Sequence, residues 1–282
     1  MVSSITNAIY NISNFYYQNS LSMSKSLERL STGKKFQTPA DDLGDYMHAQ
    51  DLQIQSNGYD NILTGLSEWK GAMGVANSAA AEVSTSLQRM NELINLSEQS
   101  SDNTQKDAYQ TEFNQIYTKI NQIVTKTNYE SKNILDDKTA LATLYLNPDT
   151  TTNSTMTIQF TNESIIPADL TALNSLTIDH TATTGAGGTY TAARTAVTKA
   201  QTDLNNYVAQ ASSYSSALDS YYNVCSSAKT NLAGAISAVS DTNDAEEIAT
   251  YTAQSIQQQA AIAMLAQANL ANRNVLALYA NM

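Results

Sequence analysis

The chain is poor in residues that carry out chemistry. Its 282 residues include one cysteine, Cys225, and two histidines, His48 and His180. A single cysteine excludes an internal disulfide framework and a cysteine-based zinc site, and two separate histidines leave little material for metal binding or general-base catalysis. We therefore expect no cofactor and no metal, and an enzyme is the least favoured class.

Proline and glycine are also scarce, at 3 and 10 residues, so long uninterrupted helices are permitted. The chain lacks a run of about 18 apolar residues, and its N-terminus lacks the basic and apolar regions of a cleaved signal peptide. Any export is expected to proceed without one. The net charge of −11 argues against nucleic acid or an anionic membrane as a partner, since both require clustered Lys and Arg.

Charge is unevenly distributed along the chain. Residues 1–36 carry a net +3, and residues 248–282 carry only Arg273, which leaves −15 on the residues between them. The two ends are therefore nearly uncharged, whereas the middle is acidic and suits a solvated surface.

Apolar residues recur at helical spacing in five segments. The strongest seams step by four and three from Ile62 to Ile94 and from Val197 to Val239, and a shorter one runs from Tyr109 to Ile123. Amphipathic segments also occupy both ends of the chain. Four glycines, Gly58, Gly65, Gly71 and Gly74, lie in or beside the first seam, where the close approach of a neighbouring helix would compensate for their low helix propensity.

The helical pattern stops over residues 137–189, which are rich in Thr and contain two prolines and the sequence GAGG. Alternating polar and apolar residues in MTIQF and LTIDH predict two to four short strands arranged as hairpins. We therefore predict a mainly α fold: an elongated antiparallel helical bundle or coiled-coil rod with a small β-hairpin insert, in which the terminal helices pair.

The stretch LSTGKKFQTPADD, residues 30–42, joins two of the helical segments. Gly33 predicts a helix end, Thr38 an N-cap and Pro39 a first helical residue. Asp41 can reach back as in a capping box, and Asp42 complements the positive end of the new helix. The spacing does not fit a phosphate-binding loop, and two adjacent aspartates without a third ligand are typical of a helix start rather than a metal site.

Several motifs resemble those of bacterial flagellins. They are LERLSTGKKFQTPADD, LQRMNELINLSEQS at 87–100, NYESKNIL at 128–135, DAEEIA, and SIQQQAAIAMLAQAN at 255–269. NYESKNIL lacks the glycine of the family's turn, and four residues follow the VLAL near the C-terminus. The resemblance covers 1–135 and 190–282, and the short insert indicates a core-type flagellin without large outer domains.

The resemblance implies a structural subunit of the bacterial flagellar filament, an extracellular helical tube used for motility. The implied partners are other copies of the chain, an export chaperone, the flagellar export apparatus, and the filament cap and hook-junction proteins. The implied domains are an N-terminal inner-core helix and spoke (1–42), the N-terminal part of a rod domain (43–136), a β-hairpin insert (137–189), the C-terminal part of the rod domain (190–240) and a C-terminal inner-core helix (241–282).

The terminal apolar stripes cannot be fully buried by one copy, so neighbouring copies are expected to order them during assembly. Subunit contacts are expected on these helices and on the corner formed by Gly33, Thr38, Pro39, Asp41 and Asp42. The expected inner-core contacts are Ile5, Ile9, Ile12, Leu27, Ile256, Leu265, Asn269 and Leu276.

Many flagellins are bound by a Toll-like receptor through the face that carries a Leu-Gln-Arg motif. Gln88, Arg89, Leu93 and Glu112 match that face, whereas Asn91 stands where the family usually has a second Arg. The alternative is that Gln88 and Arg89 are solvated or subunit-contact positions. Two further alternatives for the whole chain are a hook-filament junction protein and another secreted coiled-coil assembly protein.

Overall fold

The computed structural model describes residues 2–130, 132–135, 141–148, 154–160, 173–185 and 188–280, and for 2–5 and 275–280 it describes the backbone alone. Five helices run through these residues: α1 (Val2–Thr32), α2 (Leu43–Gln99), α3 (Asn103–Lys126), α4 (Thr189–Ser240) and α5 (Asp244–Ala280). The predicted mainly α fold is thereby confirmed.

The chain divides into two compact units. The terminal unit consists of Met1–Ile54 and Asn231–Met282, and the central unit consists of Gln55–Thr230. Both boundaries fall inside long helices, α2 and α4.

Within the central unit, α2 runs antiparallel to both α3 and α4. Ion pairs show the direction, because residue numbers rise on α2 as they fall on the helix that it contacts. The pairs with α3 are Arg89–Glu112 and Glu82–Lys119, and those with α4 are Asp60–Lys229, Lys70–Asp219 and Glu98–Arg194.

The core of the central unit lies where the seams of these helices meet. From Leu66 to Ile94 every residue of the α2 seam is at most 7% exposed. The α4 seam is largely buried from Val197 to Cys225, but Tyr221 is 39% exposed. The predicted seam is nevertheless buried or half-buried at every other position as far as Val239, so Tyr221 is its one exposed position.

Two short antiparallel hairpins accompany the helices. The first pairs β1 (Asn128–Tyr129) with β2 (Lys132–Asn133), and the second pairs β3 (Ala142–Tyr145) with β4 (Thr155–Ile158). Ala142 lies opposite Ile158, which is fully buried. Only the second hairpin falls within the predicted insert, and it packs its inner face onto the central core.

The strand predicted for LTIDH, residues 176–180, is wrong, because the structure has no strand over these described residues. Side chains from two helices bind the backbone instead. Gln110 of α3 accepts the Ile178 N–H and donates to the Leu176 carbonyl at 3.3 Å, and the Ser97 hydroxyl of α2 donates to the Ile178 carbonyl. These side chains take the place of a neighbouring strand.

Candidate interaction surface

In the terminal unit, α1 packs along α5 in the antiparallel direction. The side-chain amide of Asn19 donates to the carbonyl of Gln254 at 2.6 Å, and Arg29 lies 3.8 Å from Glu247. The later residue of α1 contacts the earlier residue of α5, so the two helices run in opposite directions. The predicted pairing of the terminal helices is thus present within one copy.

The contact between α1 and α5 uses one stripe on each helix. On α1 the buried and half-buried positions recur every three or four residues from Ile9 through Ile12 and Asn19 to Ser26. The matching stripe on α5 centres on Ala261, which is fully buried. Asn19 and Ser26 are among the least exposed residues of α1, so much of this interface is formed by small and polar side chains.

Large apolar side chains lie outside these stripes, in solvent. Leu27 on α1 is 56% exposed and Ile256 on α5 is 61% exposed. Among the side chains that the structure describes on the two helices, the other exposed large apolar residues are Tyr10, Phe15, Tyr17, Leu21, Ile248, Ile262, Met264 and Leu270. We call this set, with Leu27 and Ile256, the terminal apolar surface. Its burial requires a partner, because a folded copy leaves it in water.

The first turns of α2 extend the exposed apolar area of the terminal unit. Leu43, Met47 and Ile54 recur at steps of four and seven, so they share one face of the helix, and each is at least 57% exposed. These three residues and most of the terminal apolar surface were not predicted from the sequence, although the spacing of Leu43, Met47 and Ile54 is visible there as a second stripe.

The expected inner-core contacts occupy different environments. Leu27, Ile256 and Asn269 are exposed, whereas Ile9, Ile12 and Leu265 are half-buried. The side chains of Ile5 and Leu276 lie outside the described residues. Leu27, Ile256 and Asn269 are thus available to another copy, whereas Ile9, Ile12 and Leu265 already lose part of their exposed area within one copy.

The corner after α1 is bonded to the corner before α5. Gly33 ends α1 in the left-handed conformation, with φ of 68°, which favours glycine. Its carbonyl accepts the Thr242 N–H at 2.9 Å, and the Lys35 N–H donates to the Ser240 carbonyl at 2.8 Å. The Lys34 ammonium lies 2.5 Å from the Asp241 carboxylate. Backbone hydrogen bonds and an ion pair therefore join two segments that are about 200 residues apart in the sequence.

Asp41 organises the turn before α2. Its carboxylate accepts the backbone N–H of Thr38 at 3.1 Å and that of Gln37 at 3.2 Å, and it lies 3.0 Å from the Lys25 ammonium. The hydrogen bond from Lys25 and those from Gln37 and Thr38 hold the pKa of Asp41 well below its usual range. The carboxylate is therefore charged throughout the physiological pH range.

The start of α2 differs from the predicted one. The capping pattern predicts a helix from Pro39, but α2 begins at Leu43, so this prediction is wrong by about one turn. The Asp41 N–H donates to the Thr38 carbonyl at 3.0 Å, which closes a separate turn before the helix. Asp42 then caps α2 by accepting the Asp45 N–H at 3.0 Å.

The face with the Leu-Gln-Arg motif lies on the central unit. The Arg89 guanidinium donates to both carboxylate oxygens of Glu112, at 2.8 and 3.1 Å, and to Glu92 at 3.1 Å. These acidic partners raise the pKa of Arg89. Gln88 is exposed, whereas Leu93 has no exposed surface and packs in the core. The accessible part of the face is therefore Gln88, Arg89 and Glu112, with Leu93 as internal support.

The described residues contain no group of three or more His, Cys, Asp or Glu side chains that could hold a metal ion. Among the same residues, every helix is too short or too polar to cross a bilayer.

Family models match both helical ends of the chain. The model of the bacterial flagellin N-terminal helical region matches residues 4–140, and that of the bacterial flagellin C-terminal helical region matches residues 194–279. The chain belongs to the bacterial flagellin family. It is similar to the flagellin of Halalkalibacterium halodurans, with 28% identity over 260 residues that cover 90% of each chain. It is also similar to the flagellin of Listeria innocua, with 27% identity over 89% of this chain and 90% of that one.

The sequence identity to a flagellin of known structure is lower than to these two relatives. The crystal structure of Bacillus cereus flagellin shares 23% identity with the chain and superposes with a TM-score of 0.46, over 61% of this chain and 94% of that one.

Family membership gives the function at a coarse level. Flagellins are structural proteins rather than enzymes, and they polymerise with copies of themselves into the extracellular flagellar filament used for motility. The chain is therefore a structural subunit of such a filament. The family match favours this function over that of a hook-filament junction protein or another secreted assembly protein.

Proposed function

We propose that the terminal unit is the part of this filament subunit that binds neighbouring copies, and that the terminal apolar surface is its main contact. The observation that carries the proposal is the exposure of large apolar side chains on both α1 and α5, with Leu27 at 56% and Ile256 at 61%. The α1–α5 pair leaves them in water although it is complete within one copy.

The physical drive for this contact is the burial of apolar area. Full burial of one Leu or Ile side chain is worth about 1.5–3 kcal/mol. The terminal apolar surface contains ten large apolar residues, six of them Leu or Ile. The low charge of the C-terminal half of α5 removes most of the desolvation cost of packing this surface closely. Leu43, Met47 and Ile54 on α2 add to the same drive.

A filament requires contacts between two different faces of the subunit, because identical faces would close into a dimer. The terminal unit offers two such faces, since exposed apolar residues occur on α1 and on α5. The corner formed by Gly33, Thr38, Pro39, Asp41 and Asp42 lies at the end of this helix pair and is proposed to contribute polar contacts.

The test is a charge placed on the terminal apolar surface. Ile256→Asp should abolish filaments in electron microscopy and in a sedimentation assay, because assembly would then bury an unpaired carboxylate. Gln257→Asp is the matched control, since it adds the same charge to an exposed neighbouring position without removing an apolar group. Far-UV circular dichroism should show equal helix content for both variants. Filaments of normal yield from Ile256→Asp would contradict the proposal.

We further propose that the chain is exported through the flagellar apparatus without a cleaved signal peptide, with a chaperone covering the terminal apolar surface before assembly. The filament cap and hook-junction proteins are proposed to meet the same helices. Exposed apolar side chains on α1 and α5 support a chaperone contact there. Intact mass spectrometry of the secreted protein should show residues near Met1 retained, and a mass lacking an N-terminal segment would contradict this route.

The accessible Gln88, Arg89 and Glu112 are the proposed contact of a Toll-like receptor. Gln88 and Arg89 are exposed on the α2–α3 face and the half-buried Glu112 binds Arg89 there, which supports the proposal. A receptor-reporter assay with monomer should give a response that falls in Arg89→Ala but persists in Lys119→Ala, which breaks the neighbouring α2–α3 ion pair. No response to the wild-type chain, or equal responses from both variants, would contradict this contact and would leave these residues as a brace between α2 and α3.

A further inference from the structure

The sequence contains a single Asn-Gly pair, Asn57–Gly58, which lies in α2. Asparagine followed by glycine is the pair most prone to deamidation, because glycine has no side chain to hinder the attack of its backbone nitrogen on the asparagine side chain. Asn57 is exposed, so its side-chain amide is accessible to water. Burial therefore does not protect this pair from modification.

The helical backbone provides protection instead. Both residues lie inside α2, more than three turns after its start at Leu43. Deamidation begins when the Gly58 nitrogen closes a cyclic imide with the Asn57 side chain, and that ring requires the ψ angle of Asn57 to leave the helical range. In the helix the Gly58 N–H is also held by the carbonyl four residues earlier. The pair can therefore react only where α2 is open.

A tertiary contact keeps the reactive pair in the chain. Pro148 packs so closely against Gly58 that a side chain at this position would overlap it. Glycine inside a helix is less favourable than alanine by about 1 kcal/mol, so the contact with Pro148 gives the reason for glycine here. The packing of the folded protein thus requires the residue that makes Asn57 reactive in the unfolded chain.

We infer that Asn57 is a deamidation site of the unfolded chain and that formation of α2 protects it. The Gly58 backbone nitrogen attacks the side-chain carbonyl carbon of Asn57, the bond from that carbon to the amide nitrogen breaks, and ammonia leaves. One water then opens the cyclic imide to aspartate or isoaspartate. The net reaction consumes one water and releases one ammonia, and it needs no oxidant or reductant.

The isoaspartate product has a direct structural consequence. Its main chain passes through the former side chain, which adds a carbon to the backbone of α2 and interrupts the regular hydrogen-bond spacing of the helix. The interruption falls next to Gly58 and so disturbs the contact with Pro148. Modification at Asn57 therefore records the time that a chain has spent unfolded, and it impairs later folding of α2.

Mass spectrometry of one tryptic peptide tests the site and its protection. Cleavage after Lys35 and Lys70 gives a peptide that contains Asn57 and a matched control, Asn61, which is also exposed on α2 but precedes the bulky Ile62. In guanidinium chloride at mildly alkaline pH, Asn57 should lose its amide while Asn61 stays intact. In the folded full-length chain at the same pH and temperature, the loss at Asn57 should be at least about tenfold slower, because it requires local opening of the helix. Equal rates in the two states, or no greater loss at Asn57 than at Asn61 in the unfolded chain, would overturn the inference.

Two variants separate the chemistry from the folding of the protein. In guanidinium chloride, where folding plays no part, Gly58→Ala should slow the loss at Asn57 severalfold, because its methyl group hinders ring closure. Wild type kept unfolded and then returned to folding conditions should recover less helix by far-UV circular dichroism than fresh protein does. Asn57→Gln treated in the same way should recover as its own fresh sample does, since a longer side chain closes the ring poorly. An unchanged rate in Gly58→Ala would overturn the role of glycine, and equal recovery of wild type and Asn57→Gln would overturn the consequence for α2.

Discussion

Gly58 of α2 and Pro148, just after β3, approach so closely that only glycine fits: a Cβ atom on Gly58 would lie 2.5 Å from the Pro148 Cβ. From the sequence, the glycines of α2 were expected to admit a neighbouring helix. The neighbour at Gly58 is instead the segment after β3, and a Cβ atom on Gly65 would lie 3.8 Å from the Leu144 side chain of the same hairpin. Gly71 and Gly74 have open space around them.

Alanine substitutions at these glycines should have opposite effects. Gly71→Ala should stabilise the monomer by about 1 kcal/mol, because alanine has the higher helix propensity and nothing obstructs its methyl group. Gly58→Ala should give a smaller increase in the free energy of unfolding, or a decrease, since Pro148 must move to admit the methyl group. Urea denaturation of the two variants measures the difference. Equal stabilisation by both would show that Pro148 does not pack against Gly58.

The reactivity of the Cys225 thiol should report on the contact between Gly58 and Pro148. Cys225 is 2% exposed, and its Sγ lies 3.7 Å from the Leu146 carbonyl. Burial raises the pKa of the thiol, so the reactive thiolate is scarce in the folded protein. Labelling by a thiol reagent should therefore be slow in the folded wild type and faster in Gly58→Ala. Gly71→Ala should leave the rate unchanged, and rapid labelling of the folded wild type would contradict the buried position.

The pair between His180 and Asp107 should make stability depend on pH in two directions. Their side chains are 2.6 Å apart, and the hydrogen bond raises the pKa of His180 from 6.5 and lowers that of Asp107 from 3.8. The stabilisation that His180 contributes is complete when the pH is below the ordinary pKa of the residue, and it is lost as the pH rises through the raised pKa. The stabilisation that Asp107 contributes is present when the pH is above the ordinary pKa of the residue, and it is lost as the pH falls through the lowered pKa. The pair therefore stabilises most in mildly acidic solution.

An NMR titration of the His180 ring measures this pair directly. Asp107→Asn should lower the pKa of His180, because the main cause of its rise is removed. Asp179→Asn, which removes a weaker neighbouring charge, should have a smaller effect. Equal shifts in the two variants would mean that Asp107 is not the partner.

Removal of the Lys34–Asp241 ion pair should weaken the backbone hydrogen bonds that join the two corners of the terminal unit. Asp241→Ala removes the carboxylate that lies 2.5 Å from the Lys34 ammonium. Amide hydrogen exchange at Lys35 and Thr242 should then accelerate, because these N–H groups bridge the corners. Lys35→Ala, with exchange followed at Thr242, is the control, since it removes a charge one position from the pair. Unchanged exchange in Asp241→Ala would show that the backbone bonds alone hold the corners together.

The sequence predicted the helices well because burial repeats along them: the seam from Leu66 to Ile94 is buried throughout. It predicted the LTIDH strand wrongly because alternation cannot show that Gln110 and Ser97 would bind that backbone. The helix start at Leu43 was missed for a similar reason. A capping pattern does not distinguish a helix start from a turn that Asp41 closes with Thr38 just before the helix.

The candidate surface was only partly predictable. The sequence indicated that the terminal helices have more apolar area than one copy can bury, and Leu27 and Ile256 are indeed exposed. It could not show which stripe the α1–α5 pair would use, because both helices carry apolar residues on more than one face. The bonds between the corners were also invisible, since Gly33 and Thr242 are far apart in sequence and meet only in the fold.

The most direct test of the account is a helical reconstruction of the purified filament by electron cryomicroscopy. The account predicts that Leu27 and Ile256 of each copy are covered by the terminal units of neighbouring copies, so that their exposure of 56% and 61% falls close to zero. A filament in which both side chains still face solvent, with copies joined through residues 55–230 alone, would contradict it.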